Sequence, residues 1–331
     1  MAYTTIDNPE LYFQVKLWTG TGSENAITLD GDTDMQPDLV WIKCRSDADN
    51  HPLHDSIRGA TNVVHPDTAD AEYAVAEGLK SFDSDGFTLG TSNFANQSSR
   101  TFVAWCWKES ATAGFDIVTF EGNSTDDVDI SHNLSAVPHF MIVRNFDAAK
   151  EWCVYHHKNT SAPETDLLVL DVSDATTDTD DRWSDEAPTS SVFTVGDSSQ
   201  LNASSETSIA YLWSEKQGFS KFGSYTGNGN ADGTFVYTGF RPAYILFKKT
   251  SDVSEWSIFD NKRNTFNVVD NHLYADLDNA EGADDDLDFL SNGFKFIRDG
   301  GNTNASGATY IYMAFAEAPF VNSNGVPCNA R

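Results

Sequence analysis

The side chains best suited to chemistry sit in a few acidic and histidine-bearing phrases. "DGDTD" (Asp30 to Asp34) and "FDSDGF" (with Asp83 and Asp85) resemble fragments of calcium loops. An EF-type loop takes oxygen ligands from positions 1, 3 and 5 and a bidentate glutamate from position 12, and neither phrase has that glutamate. Asp83 and Asp85 stand as Ca2+ candidates, with turn formation as the simpler reading; "DTDD" (Asp178 to Asp181) and "ADDDLDF" (Ala283 to Phe289) read as acidic loops. "HPLHD" (His51 to Asp55) and "YHHK" (Tyr155 to Lys158) offer imidazoles for metal or acid–base work. Trp152 and Trp256 each follow a glutamate, and Asp260 and Arg263 lie just downstream. A ring that stacks on the apolar face of a pyranose, beside Asp and Arg, is the make-up of a carbohydrate platform. Core packing explains the same rings without a ligand.

Wider motifs of catalysis are missing. The sequence holds no G-x-S-x-G and no H-E-x-x-H, and its carboxylates are too numerous to single out a glycosidase pair. Cys44, Cys106 and Cys153 lie in apolar runs and Cys328 in the tail, none in a C-x-x-C pair, so they read as small buried hydrophobes. No catalytic residue, resident metal or cofactor is expected.

What positions these residues is a repeat. "LWTGTG … MQPDLVWIKCR", "TFEGNS … AVPHFMIVRN" and "YTGNG … GFRPAYILFKK" open three copies, and "VAWCWKE", "AYLWSE" and "YMAFAE" close them. The opening aromatic, the proline, an alanine, a phenylalanine and the closing glutamate each move by 101 to 106 residues between copies. Five anchors at that period describe one module written three times with loop-length variation, over 1–111, 112–217 and 218–331. Aligned this way, His51 takes the place of Trp152 and Trp256, while Asp55, His156 and Asp260 coincide. A ligand set would not exchange His for Asp between copies, so these polar groups read as satisfied surface or edge-strand residues.

Each copy reads as β structure. In "VAWCW" the heavy residues Val103, Trp105 and Trp107 alternate with smaller ones, a strand with one face in a core. "LVWI", "FMIV" and "YILF" are continuously apolar, as in strands buried on both faces. Pro37, Pro138 and Pro242 precede them, where a missing N–H does least harm. Only "DTADAEYAVAEGLKSF" (Asp67 to Phe82) has a helical pattern, capped by Asp67 or Thr68. The Gly-rich "YTGNG" lacks the following helix and Lys-Ser/Thr of a phosphate cradle, and reads as a hairpin turn. The expectation is all-β, three antiparallel sandwiches in a row, each of about eight strands.

Bulk properties bound the partners. With 50 acidic and 21 basic side chains among 331 residues, the net charge of −29 repels nucleic acid and anionic bilayers. No apolar run is long enough to span a membrane, and the N-terminus lacks the basic and apolar regions of a signal peptide, so synthesis in a cytoplasm is expected.

The phrases Tyr225–Gly229, Gly239–Ala243, Trp256–Arg263 and Tyr310–Phe320 resemble an uncharacterised repeat module of marine tailed-phage virion proteins. The resemblance covers nearly the whole chain, is strongest in the third copy, and departs at His51 and at "EGNS". It implies a concanavalin A/laminin-G-like jelly-roll sandwich in each copy and a non-enzymatic virion component. The implied place is tail-associated, as a tail fibre or receptor-binding adhesin meeting host-surface polysaccharide, with Trp152, Trp256, Asp260 and Arg263 as its contact. The alternative is a capsid-decoration or collar protein without a ligand. Other virion proteins and further copies of the chain are the implied partners.

Overall fold

The computed structural model describes residues 2–283 and 287–328. Nearly all regular structure among them is strand; one short α-helix, Asn93–Asn96, and the 3-10 turns Pro9–Leu11 and Pro163–Thr165 are the exceptions. The helix expected over Asp67 to Phe82 does not form: Tyr73–Ala74 and Leu79–Asp83 are strands. Its amides are spent sideways, Glu72 N on Phe146 O (2.8 Å) and Val75 N on Thr61 O (2.8 Å).

The ladders, all antiparallel, fall into three sets with one topology. In the first, Phe13–Thr19 pairs with Thr101–Trp107, which pairs with Leu39–Cys44 and then Leu53–Asp55. The second runs Phe115–Glu121, Thr207–Trp213, Phe140–Asn145, Cys153–His156, Asp166–Val169, Thr177–Asp178. The third runs Ser220–Thr226, Thr309–Pro319, Phe240–Lys249, Ser257–Asp260, Leu273–Tyr274. Register repeats as well: Trp107 faces Phe13 and Leu39, Trp213 faces Phe115 and Phe140, and Phe315 faces Ser220 and Tyr244.

A smaller sheet covers one face of each large one: Asn25–Thr28 with Gly86–Leu89 and Leu79–Asp83, Val128–Ser131 with Val192–Val195, and Phe235–Tyr237 with Gly293–Phe296 and Leu287–Leu290. Three separate cores fill these sandwiches, around Phe87, Phe193 and Phe294. The opposite faces of the three large sheets meet in a fourth core that contains Trp105, Trp107, Tyr211, Trp213, Tyr244 and Phe315. The copies therefore surround a common centre instead of standing in a row. Both faces of "LVWI", "FMIV" and "YILF" are buried because one faces the sandwich and the other this centre. Aromatic contacts cross it, with Phe13 stacked on Phe315 at 4.9 Å and Trp107 edge-on to Tyr244 at 5.7 Å. Such pairs contribute about 0.5–1.5 kcal/mol each beyond the area they bury.

"YTGNG" is not a hairpin: it carries the chain from the large sheet to the small one. Asn304 pins it, accepting from Asn228 N (3.0 Å) and donating to Asn230 O (2.9 Å) and Arg298 O (3.0 Å). Asn96 and Asn202 hold the other two loops in the same way. Gly227 is needed because a Cβ there would lie 2.2 Å from Ala305 O, and Gly229 adopts φ +63°.

Candidate functional site

The sugar-platform residues are interior. Trp152 and Trp256 are 0% and 1% exposed, Asp260 is fully buried and Arg263 nearly so. A ring without accessible surface cannot stack on a pyranose. Each indole instead holds two copies together: Trp152 donates to His65 O and Thr68 O of the first copy (3.0 Å each), and Trp256 to Val169 O of the second (2.9 Å). Asp171 and Asp276 fix the tryptophan backbones by accepting Trp152 N (2.9 Å) and Trp256 N (3.0 Å).

Around these rings the copies meet by one cyclic rule, second on first, third on second, first on third. The amides of Glu72, Thr176 and Glu281 donate to Phe146 O, Thr250 O and Arg45 O at 2.8, 3.0 and 2.9 Å. Fully buried Lys43, Arg144 and Lys248 reach backbone carbonyls of the adjoining copy: Lys43 Nζ to Leu277 O (2.5 Å), Arg144 to Thr68 O and Asp70 O, and Lys248 Nζ to Ser173 O (3.0 Å). Burial lowers both lysines to about 8 and Arg144 to about 10, and neighbouring carboxylates oppose that shift. Arg45 adds a bidentate pair with Glu281 on the first–third seam (2.8 and 2.9 Å).

The exchange of His156 for Asp55 and Asp260 follows from its partners across the seam. Tyr211 Oη donates to Asp55 (2.7 Å) and Trp105 Nε1 to Asp260 (3.0 Å). The third closing strand has Met313 at that register, which offers no donor, and His156 Nε2 lies 3.2 Å from Tyr312 O instead. The residues around it change as a group. Arg58 bridges Asp55 (2.6 Å) and Glu72 (2.7 Å), Arg263 bridges Asp260 (2.6 Å) and Glu281 (3.2 Å), whereas the second copy carries Asn159 bonded by Thr176 (2.7 Å). These groups are satisfied, as expected, and Asp55 does lie on an edge strand of its sheet, but they are buried seam fasteners and not surface residues.

His51 is also accounted for. It lies parallel to Trp41 and accepts Trp41 Nε1–H on Nδ1 at 2.9 Å. Trp41 occupies the strand position of Ile142 and Leu246, so the first copy keeps a large indole at this seam but carries it on the strand. Burial holds His54 and His156 near 3 and raises Cys106 and Cys153, the latter to about 12, so none of the four is ionised near neutral pH.

The calcium candidates lie apart from the seams. Ser84 and Asp85 form the tip of a hairpin, and Asp83 accepts hydroxyls of Ser81 and Thr88 (2.7 Å each). Of "ADDDLDF", residues 284–286 lie outside the described residues.

Sequence reasoning missed an exposed aromatic pair. Phe235 and Tyr237 are 45% and 54% exposed on the edge strand of the third small sheet, where the other copies carry Ala26 and Thr28, or Asp129 and Ser131. Aligning the copies at those registers would have found them.

A family model described as a domain of unknown function, DUF7483, matches residues 8–319, which contain all three sets of ladders. The chain belongs to the DUF7483 family. No curated protein and no solved structure matches this DUF7483 chain.

Proposed function

We propose that the chain is a non-enzymatic structural component of a bacteriophage virion, made in the host cytoplasm, in which three jelly-roll-like modules form one closed body. The reading rests on the phage-module resemblance, and one observation favours architecture over ligand binding. The tryptophans best suited to a ligand are consumed inside the molecule, where Trp152 and Trp256 fasten one copy to the next. Buried Lys43, Arg144, Lys248 and Arg263 are matched by buried Asp55, Asp116, Asp166, Asp260 and Asp276, so nearly all of the net −29 falls on the solvent-facing surface. Such a surface keeps a crowded structural protein soluble and suits other virion proteins with basic faces. The test is electron microscopy and mass spectrometry of purified particles, where the protein should occupy a regular position. Its absence from intact virions would sink the reading.

Adhesion to host-surface glycan is the second reading, and exposed Phe235 and Tyr237 favour it. On the adjacent strand Gly293 pairs with Tyr237, and the Phe235 ring packs over it, 3.1 Å from where a Cβ would stand. Binding on a glycan array that Tyr237→Ala abolishes, with Trp152 and Trp256 untouched, would move the assignment from architecture to the tail tip.

A further inference from the structure

The second and third copies use the same pair of acidic positions behind the seam tryptophan but complete it differently. In the second, Glu151 accepts from Arg182 Nη2 at 3.3 Å while Asp171 caps Trp152 N. In the third, Asp276 caps Trp256 N, and its side chain also meets that of Glu255. Asp276 Oδ2 and Glu255 Oε2 are both buried, and neither receives a hydrogen bond from a donor among the described residues. Two ionised carboxylates cannot remain in such contact.

We infer that Glu255 and Asp276 share one proton, and that this proton is a built-in fastener of the seam between the second and third copies. The surrounding charges fit. Lys248, whose ammonium is held by Ser173 O, Ser254 O and Lys249 O, faces Asp276, Glu255 and Asp174, and Lys249 lies on its outer side. Lys43 of the first copy also acts on Asp276, but the hydrogen bonds of both ammoniums among the described residues go to backbone carbonyls, so the proton has to come from within the pair. Burial, and then the contact with Glu255, push the Asp276 carboxyl up to about 9. Two of the groups that cross this seam depend on the pair: Asp276 holds the Trp256 backbone, and Lys248 reaches Ser173. Losing the proton sets two negative charges in contact beside Trp256 and Lys248 and loosens both.

The test compares thermal midpoints of the full chain and Glu255→Gln from about pH 7 to about pH 10, above the range in which the histidines act on stability. Glutamine supplies a permanent N–H and no charge. The wild-type midpoint should fall as pH rises, and the variant should lose most of that fall and match or exceed wild type at the alkaline end. Parallel curves would overturn the inference. An infrared difference between the two proteins at neutral pH needs no unfolding and should show a protonated carboxyl C=O stretch in wild type only; no such band would also overturn it. A wild-type midpoint raised by Ca2+ at alkaline pH, with no effect on the variant, would mean that a cation completes the pair and would equally refute the shared proton.

Discussion

Trp105 of the first copy donates its indole N–H to Asp260 of the third at 3.0 Å, inside the molecule and 155 residues apart in sequence. Arg263 shares the same carboxylate at 2.6 Å, so one buried acid serves a neighbour across the seam and a cation within its own copy. Removing one partner of a buried ion pair leaves the other uncompensated. Asp260→Ala should cost about 3–5 kcal/mol in urea unfolding. Asp55→Ala should cost a similar amount, since Asp55 holds Arg58 and Tyr211.

Trp256→Ala removes a fully buried ring and one cross-seam donor. The expected loss is about 3–5 kcal/mol. Trp256→Phe should recover most of it but leave Val169 O without its indole. If Trp256→Ala leaves the unfolding midpoint unchanged, the ring does not fasten the seam.

Acid should weaken the fold through histidines held neutral. His54 and His156 sit near 3 in the folded chain, because burial penalises their charged form, against about 6.5 unfolded. A depressed folded value means that the unfolded chain binds the extra proton. The histidines' contribution is therefore full above about pH 6.5 and declines toward about pH 3, by roughly 1.4 kcal/mol per pH unit for each histidine. Urea midpoints at several acidic pH values, with His156→Gln removing one share of the slope, check this directly.

The two ends of the described chain meet at the first–third seam, where Ser323 N donates to Asp7 at 2.7 Å and Tyr3 Oη to Gly239 O at 2.6 Å. That seam has no peptide crossing it yet repeats the backbone bond of the other two. A circular permutant that joins these ends and opens between Ala111 and Thr112 should fold with the same circular dichroism and a similar midpoint. Failure to fold would show that the order of the copies along the chain matters, beyond their contacts.

Much of the fold was legible because β structure writes its burial into period-two patterns. The closing strands and the doubly apolar runs after the prolines gave the all-β character. The site was misread because burial against another copy leaves no local signature: Trp256 looks the same on a surface as in a seam. Two clues were nevertheless present. A second buried face on "LVWI" needs something to cover it, and each of these sheets turns that face to the common centre. The joint change from Asp55, Arg58 and Glu72 to His156, Asn159 and Thr176 marks a contact set, which a reading of single positions breaks apart.

The cyclic seams set this chain apart from an assembly of identical subunits. A homotrimer must satisfy all of its interfaces with one residue set, and it falls apart on dilution. Here the joints are intramolecular, so Met313 opposite His156 and Trp105 opposite Asp260 can coexist in one particle of matter, each joint free to drift from its siblings. Such a body forms at any concentration, down to a single molecule.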